Sequence, residues 1–119
     1  MEKKLEELNG FKNLRIVDNF YQTSSFFPMP TTEIGTLSES GQTNLGSYSL
    51  CFPYYIAGKD YYAMLLCCRN SSNTAKNILR TGKCSINFIT DKRKYFKEAV
   101  RLGYPGETTE EKMKDCIFT

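Results

Sequence analysis

Two stretches of this chain carry residue types and spacings that could do chemistry with a ligand. The first is Arg69, followed at one residue's distance by Ser71, Ser72, Asn73 and Thr74. It stands between an apolar run ending at Cys68 and a helical pattern containing Ala75, Ile78 and Leu79, so its polar residues fall at a helix mouth. Backbone N–H groups at such a mouth lack intrahelical partners, carry partial positive charge and bind phosphate readily. The hydroxyls and the Asn73 amide add donors, and Arg69 adds a planar cationic fork. The same four residues also make a good N-cap, worth about 1 kcal/mol, so a plain cap and a cap that doubles as an anion site both fit. No G-x-x-x-x-G-K-[ST] run and no strand–G-x-G-x-x-G–helix run is present, which leaves P-loop and Rossmann sites without support.

The second stretch runs Asn44-Leu45-Gly46-Ser47-Tyr48-Ser49-Leu50-Cys51. Small and polar residues within a strand leave room for a flat heterocycle, whose polar edge can then meet main-chain groups. A half-exposed strand with a polar outer face is the plainer reading. The chain has no histidine, so Ser/His/Asp and Cys/His constellations are excluded and no side chain is nominated as catalytic. Its five cysteines are odd in number, include the adjacent Cys67 and Cys68, and show neither C-x-x-C nor zinc-finger spacing. That pattern predicts no disulfide framework and no metal site, but reduced and mostly buried thiols in a cytoplasmic protein.

Charge adds little that is specific. The 16 basic and 13 acidic residues give a formal +3 and are interspersed, which is no nucleic-acid footprint. The one dense basic cluster, Lys92-Arg93-Lys94, reads as a solvated helix face. Met1 to Gly10 lacks the apolar stretch of a signal peptide, and no run reaches membrane-spanning length. The expectation is a soluble, intracellular, single domain over 1–119, with neither nucleic acid nor membrane as partner.

The elements that must position the two stretches come mostly as strands first and helices later. Glu2–Leu8 reads as a short helix and Asn13–Asp18 as a short strand. Thr32–Leu37, a turn over Ser38–Gln42, and an extended run from Thr43 through Phe52 stopped by Pro53 read as a hairpin. Tyr61–Cys68 is an apolar run suited to burial on both faces, and Cys84–Ile89 alternates as a strand does. Between these two lies a short helix closed by Gly82 at its C-terminal side, with Ala75, Ile78 and Leu79 as its apolar face. A second helix is predicted from Lys92 to Leu102, with Asp91 as N-cap, Tyr95, Phe96, Ala99 and Val100 as its apolar stripe, and Gly103 after its end. Thr108 and Glu111 have capping-box spacing, which predicts a third helix over Thr109–Cys116.

In this order the two stretches resemble the flavin reductase-like FMN-binding family. The likeness rests on the Pro-rich lead Phe27-Pro28-Met29-Pro30-Thr31-Thr32, the turn Ser40-Gly41-Gln42, and the run from Asn44 through Leu50. It rests further on Ser72-Asn73-Thr74-Ala75-Lys76-Asn77-Ile78-Leu79-Arg80-Thr81-Gly82, with Asn87 five residues beyond. It is close over Phe26–Ile89 and loose from there onward; where the family has Lys-Asp before the Thr, this chain has Ser72-Asn73. The resemblance implies a mainly β fold with short helices, an FMN-binding split β-barrel of Greek-key type that lacks the family's last strands. It implies that Ser47, Tyr48, Ser49, Leu50 and Cys51 line the isoalloxazine, and that Arg69, Ser71, Ser72, Asn73 and Thr74 hold the FMN phosphate, with Asn44 and Asn77 bracing the loops. A homodimer and hydride transfer from NAD(P)H to the flavin are implied with it. Its alternatives are a flavin-binding electron-transfer protein with no nicotinamide site of its own, and an inactive truncated remnant.

Overall fold

The computed structural model describes residues 29–56 and 61–118, apart from the side chains of Ile56, Tyr61 and Tyr62. The helix expected over Glu2–Leu8, the strand over Asn13–Asp18 and the Phe27-Pro28 start of the Pro-rich lead lie outside the described residues.

Strand β1 (Thr32–Leu37) turns through Ser38–Gln42 into β2 (Thr43–Tyr48), antiparallel, with Thr36 opposite Asn44 and Glu33 opposite Ser47. Ser38 builds the turn: its N–H donates to Gln42 O, its carbonyl accepts from Gly41 N, and its hydroxyl accepts from Gln42 N. The expected hairpin is present, but its second strand does not run on to Pro53. The chain breaks at Ser49-Leu50 and resumes as β3 (Cys51–Ile56), which pairs with β4 (Tyr61–Leu66) in a separate two-stranded ribbon. Pro53 sits inside β3 because a ribbon strand is paired on one edge only, so an outward position forfeits no ladder bond. Strand β5 (Ser85–Phe88) pairs antiparallel with β1 to give the sheet order β2-β1-β5. The domain is thus a small mixed α/β one with antiparallel sheets and short helices, and the five strands described close no barrel.

Helix α1 (Asn73–Thr81) begins at Ser72, whose hydroxyl accepts from Ala75 N, and stops at Gly82. There φ is +67°, which glycine adopts at little cost, and the Gly82 N–H closes on Ile78 O. Helix α2 (Arg93–Gly103) starts one residue later than expected: Lys92 takes the N-cap position with no side-chain bond, and Asp91 lies outside. Helix α3 (Thr109–Met113) has the full capping box, Thr108 and Glu111 bonding each other's backbone N–H, but ends before Cys116.

Strand alternation puts Thr36, Asn44 and Gly46 on one face of the three-stranded sheet and Glu33, Leu45 and Ser47 on the other. Helix α1 covers the first face, where Asn77 Nδ2 reaches Thr36 Oγ1 at 3.1 Å. Helix α2 covers the second, where Ser47 Oγ lies 2.6 Å from Ala99 O.

The centre is more polar than the apolar runs predict. Among the described residues Ile34, Cys51, Ala75, Ala99 and Leu102 are its buried apolar side chains, against ten buried polar or charged ones that include Glu33, Thr36, Asn44, Thr74, Asn77, Thr109 and Lys112. Several expected core residues face outward instead. Leu79 is 84% exposed and Phe88 70% exposed, Val100 and Phe96 are exposed, and the buried residues of α2 are Glu98, Ala99 and Leu102. Strand β4 is not buried on both faces, since Met64 is exposed and Ala63, Leu65 and Leu66 are half-buried. The cysteines are all free, as expected, but Cys51 alone is buried; Cys67 and Cys84 are exposed, and Cys68 and Cys116 are half-buried.

Asn44, fully buried, joins four of these elements. Its Nδ2 donates to Thr36 Oγ1 (3.3 Å) and Thr74 Oγ1 (3.4 Å), and its Oδ1 accepts from Thr109 Oγ1 (3.2 Å). Replacing Asn44 by Ala strands buried hydroxyls and opens a void, so a loss of about 3 kcal/mol is expected in urea denaturation. Thr109→Val, which removes one of the three bonds, is expected to cost about 1 kcal/mol.

Candidate functional site

The two polar stretches meet. A cleft of about 980 Å³ is lined by Ser47, Tyr48, Ser49 and Leu50 on one side and by Arg69, Ser71, Ser72, Asn73 and Thr74 on another. Cys67 N donates to Leu50 O at 2.9 Å, which fastens the two segments together at the foot of the ribbon. Of the ten residues singled out in sequence, Cys51 alone does not line this cleft; it is buried in β3 opposite Leu66.

The third wall was not legible in the sequence. It is the end of α2 and the connection to α3, from Leu102 through Thr108, together with Lys112; Lys76 adds a second cation beside Arg69. The Pro105-Gly106 break and the Thr108 cap were visible as local signals, but no local signal folds that connection back over the mouth of α1. A long-range bond does so, Asn73 Nδ2 donating to Glu107 O at 2.9 Å.

The hydrogen-bond inventory divides the cluster. Ser72 Oγ accepts from Ala75 N at 3.1 Å and from Tyr48 Oη at 3.4 Å, and Thr74 Oγ1 accepts from Asn44. Neither hydroxyl spends its own hydrogen, whereas the Asn73 amide is spent on Glu107. Among the described residues the backbone N–H groups of Asn73 and Thr74 have no hydrogen-bond partner, and neither Arg69 nor Lys76 has an ion pair. Donors left over at the site are therefore two helix-mouth amides, the hydroxyls of Ser71, Ser72 and Thr74, and two side-chain cations. All of these favour an anion.

Across the cleft, the C-terminal end of α2 would oppose an anion through its carbonyls. Three of the carbonyls near that end are engaged. Lys112 Nζ donates to Leu102 O at 3.0 Å, Tyr104 N to Arg101 O at 3.2 Å, and Ser47 Oγ sits against Ala99 O. Burial pulls the Lys112 ammonium below its ordinary range, against the charge of Glu107, which holds it up. Behind this wall the Arg101 guanidinium clasps Glu98 at 2.6 Å and, outweighing the effect of burial, lowers its carboxyl below the usual range. The Thr108 backbone and hydroxyl bonds lower Glu111 in the same direction.

No family model matches the chain, and no curated protein does.

Gly46 sets how closely β2 and the α1 mouth approach. A Cβ there would lie 2.9 Å from Thr74 Oγ1 and 3.0 Å from the Tyr48 ring. Gly46→Ala is therefore expected to displace the mouth of α1 and cost about 1–3 kcal/mol, as overpacking does, read by thermal or urea unfolding.

Proposed function

We propose that this chain is an FMN-binding, flavin reductase-like oxidoreductase that works with NAD(P)H. The observation that carries this reading is the convergence of two stretches, distant in sequence, on one cleft whose uncommitted donors suit a phosphate. The cleft's volume is at the upper end of the range for cofactor sites, about 300–1,000 Å³. The residues fit the cofactor at both of its ends. Arg69, the hydroxyls of Ser71, Ser72 and Thr74, and the amides of Asn73 and Thr74 would hold the phosphate. Ser47, Tyr48, Ser49 and Leu50 would border the ring system. Cys51, buried in β3, does not line the cleft.

When bound, FMN supplies the hydride acceptor, which needs stacking with a nicotinamide rather than a side-chain base. The protein's own share is to bind, orient and balance charge, and the lack of histidine is no obstacle to that share. In fold, the reading makes the β2-β1-β5 sheet and the ribbon parts of a split barrel. A two-stranded ribbon is marginal by itself, and this one exposes Phe52, Tyr54 and Met64. A homodimer that covers the ribbon is part of the proposal. Five free thiols suit a reducing, cytoplasmic compartment, and among the described residues no helix is long and apolar enough to cross a membrane.

The purified protein should carry or take up FMN near one per chain and show a flavin spectrum that bleaches on anaerobic addition of NADH or NADPH. Failure to bind FMN at saturating concentration sinks the proposal. Binding without bleaching moves it to the electron-transfer alternative. Arg69→Ala should weaken FMN about 10- to 100-fold, the worth of a charge-assisted bond of about 1.5–3 kcal/mol, and leave riboflavin unchanged. Equal loss of both would take Arg69 out of the phosphate site.

A further inference from the structure

Glu33 is the one charged-type residue on β1, is 2% exposed, and is used by no part of the site described above. Its Oε1 lies 2.5 Å from Ser47 Oγ, and Ser47 Oγ lies 2.6 Å from Ala99 O on α2. Its Oε2 is buried and, among the described residues, has no hydrogen-bond partner.

Counting protons decides the state of this row. A serine hydroxyl has one hydrogen, and here it faces two oxygens at hydrogen-bonding distance. With Glu33 ionised, both neighbours are pure acceptors, so one of the two short O···O contacts holds no hydrogen and is repulsive. With Glu33 protonated on Oε1, the carboxyl O–H donates to Ser47 Oγ and the Ser47 O–H donates to Ala99 O. Both contacts are then bonds, at lengths usual for O–H···O. The unpartnered Oε2 becomes a neutral carbonyl oxygen, far cheaper to leave buried than half of a carboxylate.

We infer that Glu33 is held as a neutral acid and, through Ser47, locks the C-terminal half of α2 to the sheet, so that rising pH releases this wall of the cleft. The inference concerns the cleft's geometry and is independent of what occupies it. The charged groups toward Glu33 are Lys112 from α3 and Glu98 from α2; β2 and β5 present Ser47 and Asn87. Lys112 commits its ammonium to Leu102 O, and Glu98 is clasped by Arg101, so neither supplies Glu33 with a direct ion pair. Burial pushes the Glu33 carboxyl above its ordinary range, and the Ser47 bond and Lys112 charge oppose that push without cancelling it.

The sign follows from proton linkage. Between the ordinary carboxylate range and the raised folded value, the folded state holds a proton that the unfolded chain has lost. Stability therefore falls as pH rises through that window and levels off above it. Because Leu102, Gly103 and Tyr104 line the cleft, loosening of α2 reaches its wall directly.

The test is carbon-13 NMR of the Glu33 carboxyl in the full chain, with amide exchange at Leu102, Gly103 and Tyr104 corrected for intrinsic base catalysis. Glu33 is expected to titrate above the ordinary carboxylate range, with exchange at those amides accelerating over the same pH interval. Glu33→Gln retains an N–H donor toward Ser47 at every pH. Within the window the wild-type folding equilibrium should therefore fall relative to this variant by up to tenfold per pH unit, about the limit for one proton. Ser47→Ala should leave the Glu33 titration raised while the α2 amides cease to follow it. Titration of wild-type Glu33 at or below the ordinary range overturns the inference, whether or not the variants fold. So does α2 exchange that still follows Glu33 in Ser47→Ala.

Discussion

The side-chain amide of Asn44 must serve hydroxyls from three different elements at once, and the rest of the structure is arranged around that demand. Its two hydrogens and its carbonyl oxygen are shared among Thr36 on β1, Thr74 in the first turn of α1 and Thr109 in the first turn of α3. A fully buried amide has no water to fall back on, so an element that drifts leaves an orphaned group behind. The hub thus sets the distance between β2 and the mouth of α1. Gly46, two residues on along the same strand face, lets that distance be short enough for Thr74 to reach it. Asn77 adds a second tie between α1 and Thr36, and Thr36 accepts from both amides.

The same economy runs through the two helix ends that face each other across the cleft. Among the described residues the mouth of α1 keeps two amides and three hydroxyl hydrogens uncommitted, while three carbonyls near the end of α2 are engaged by Lys112, Tyr104 and the Ser47 hydroxyl. A helix start and a helix end brought close would ordinarily cancel each other's fields. Here only the negative end is neutralised by the protein, so the cleft keeps a positive character, reinforced by Arg69 and Lys76. Glu107 is the one acid among its lining residues, and its carbonyl rather than its carboxylate holds Asn73.

Most local signals are legible in the sequence, the Asp91 cap excepted, and long-range ones are not, for a physical reason. Gly82 as a C-terminal glycine, a cap within Ser71–Thr74 (Ser72 in the structure) and Thr108 with Glu111 as a capping box all emerge from a few neighbouring residues, and each is present. Nine of the ten singled-out residues do share one cleft, because their strand and helix mouth are tied by backbone and side-chain bonds. The α2–α3 wall and Glu33 were missed because their placement depends on partners tens of residues away. An acid in the middle of a β-prone run, Thr32-Glu33-Ile34, was the only trace of the latter. The apolar stripe on α2 was misjudged since hydrophobicity alone picked Phe96 and Val100. The sheet face that α2 meets carries Glu33 and Ser47, and there a small Ala99 and a clasped Glu98 fit where large apolar side chains do not.

That polar interior has a consequence for the surface. Burying Asn44, Asn77, Glu33, Lys112 and the threonines between the sheet and its helices uses the space that a conventional core gives to large apolar side chains. Those side chains are consequently outside: Leu79 on α1, Phe88 on β5, Val100 on α2, and Phe52, Tyr54 and Met64 on the ribbon. Each contributes roughly 25 cal/mol per Å² when taken from water, so the free energy not gained internally is still open to association. The ribbon shares the foot of the cleft through Leu50 and Cys67, so its exposed apolar side chains lie next to the site. Hydrogen bonding thus fixes the inside of this domain, and much of its large apolar surface is left facing water.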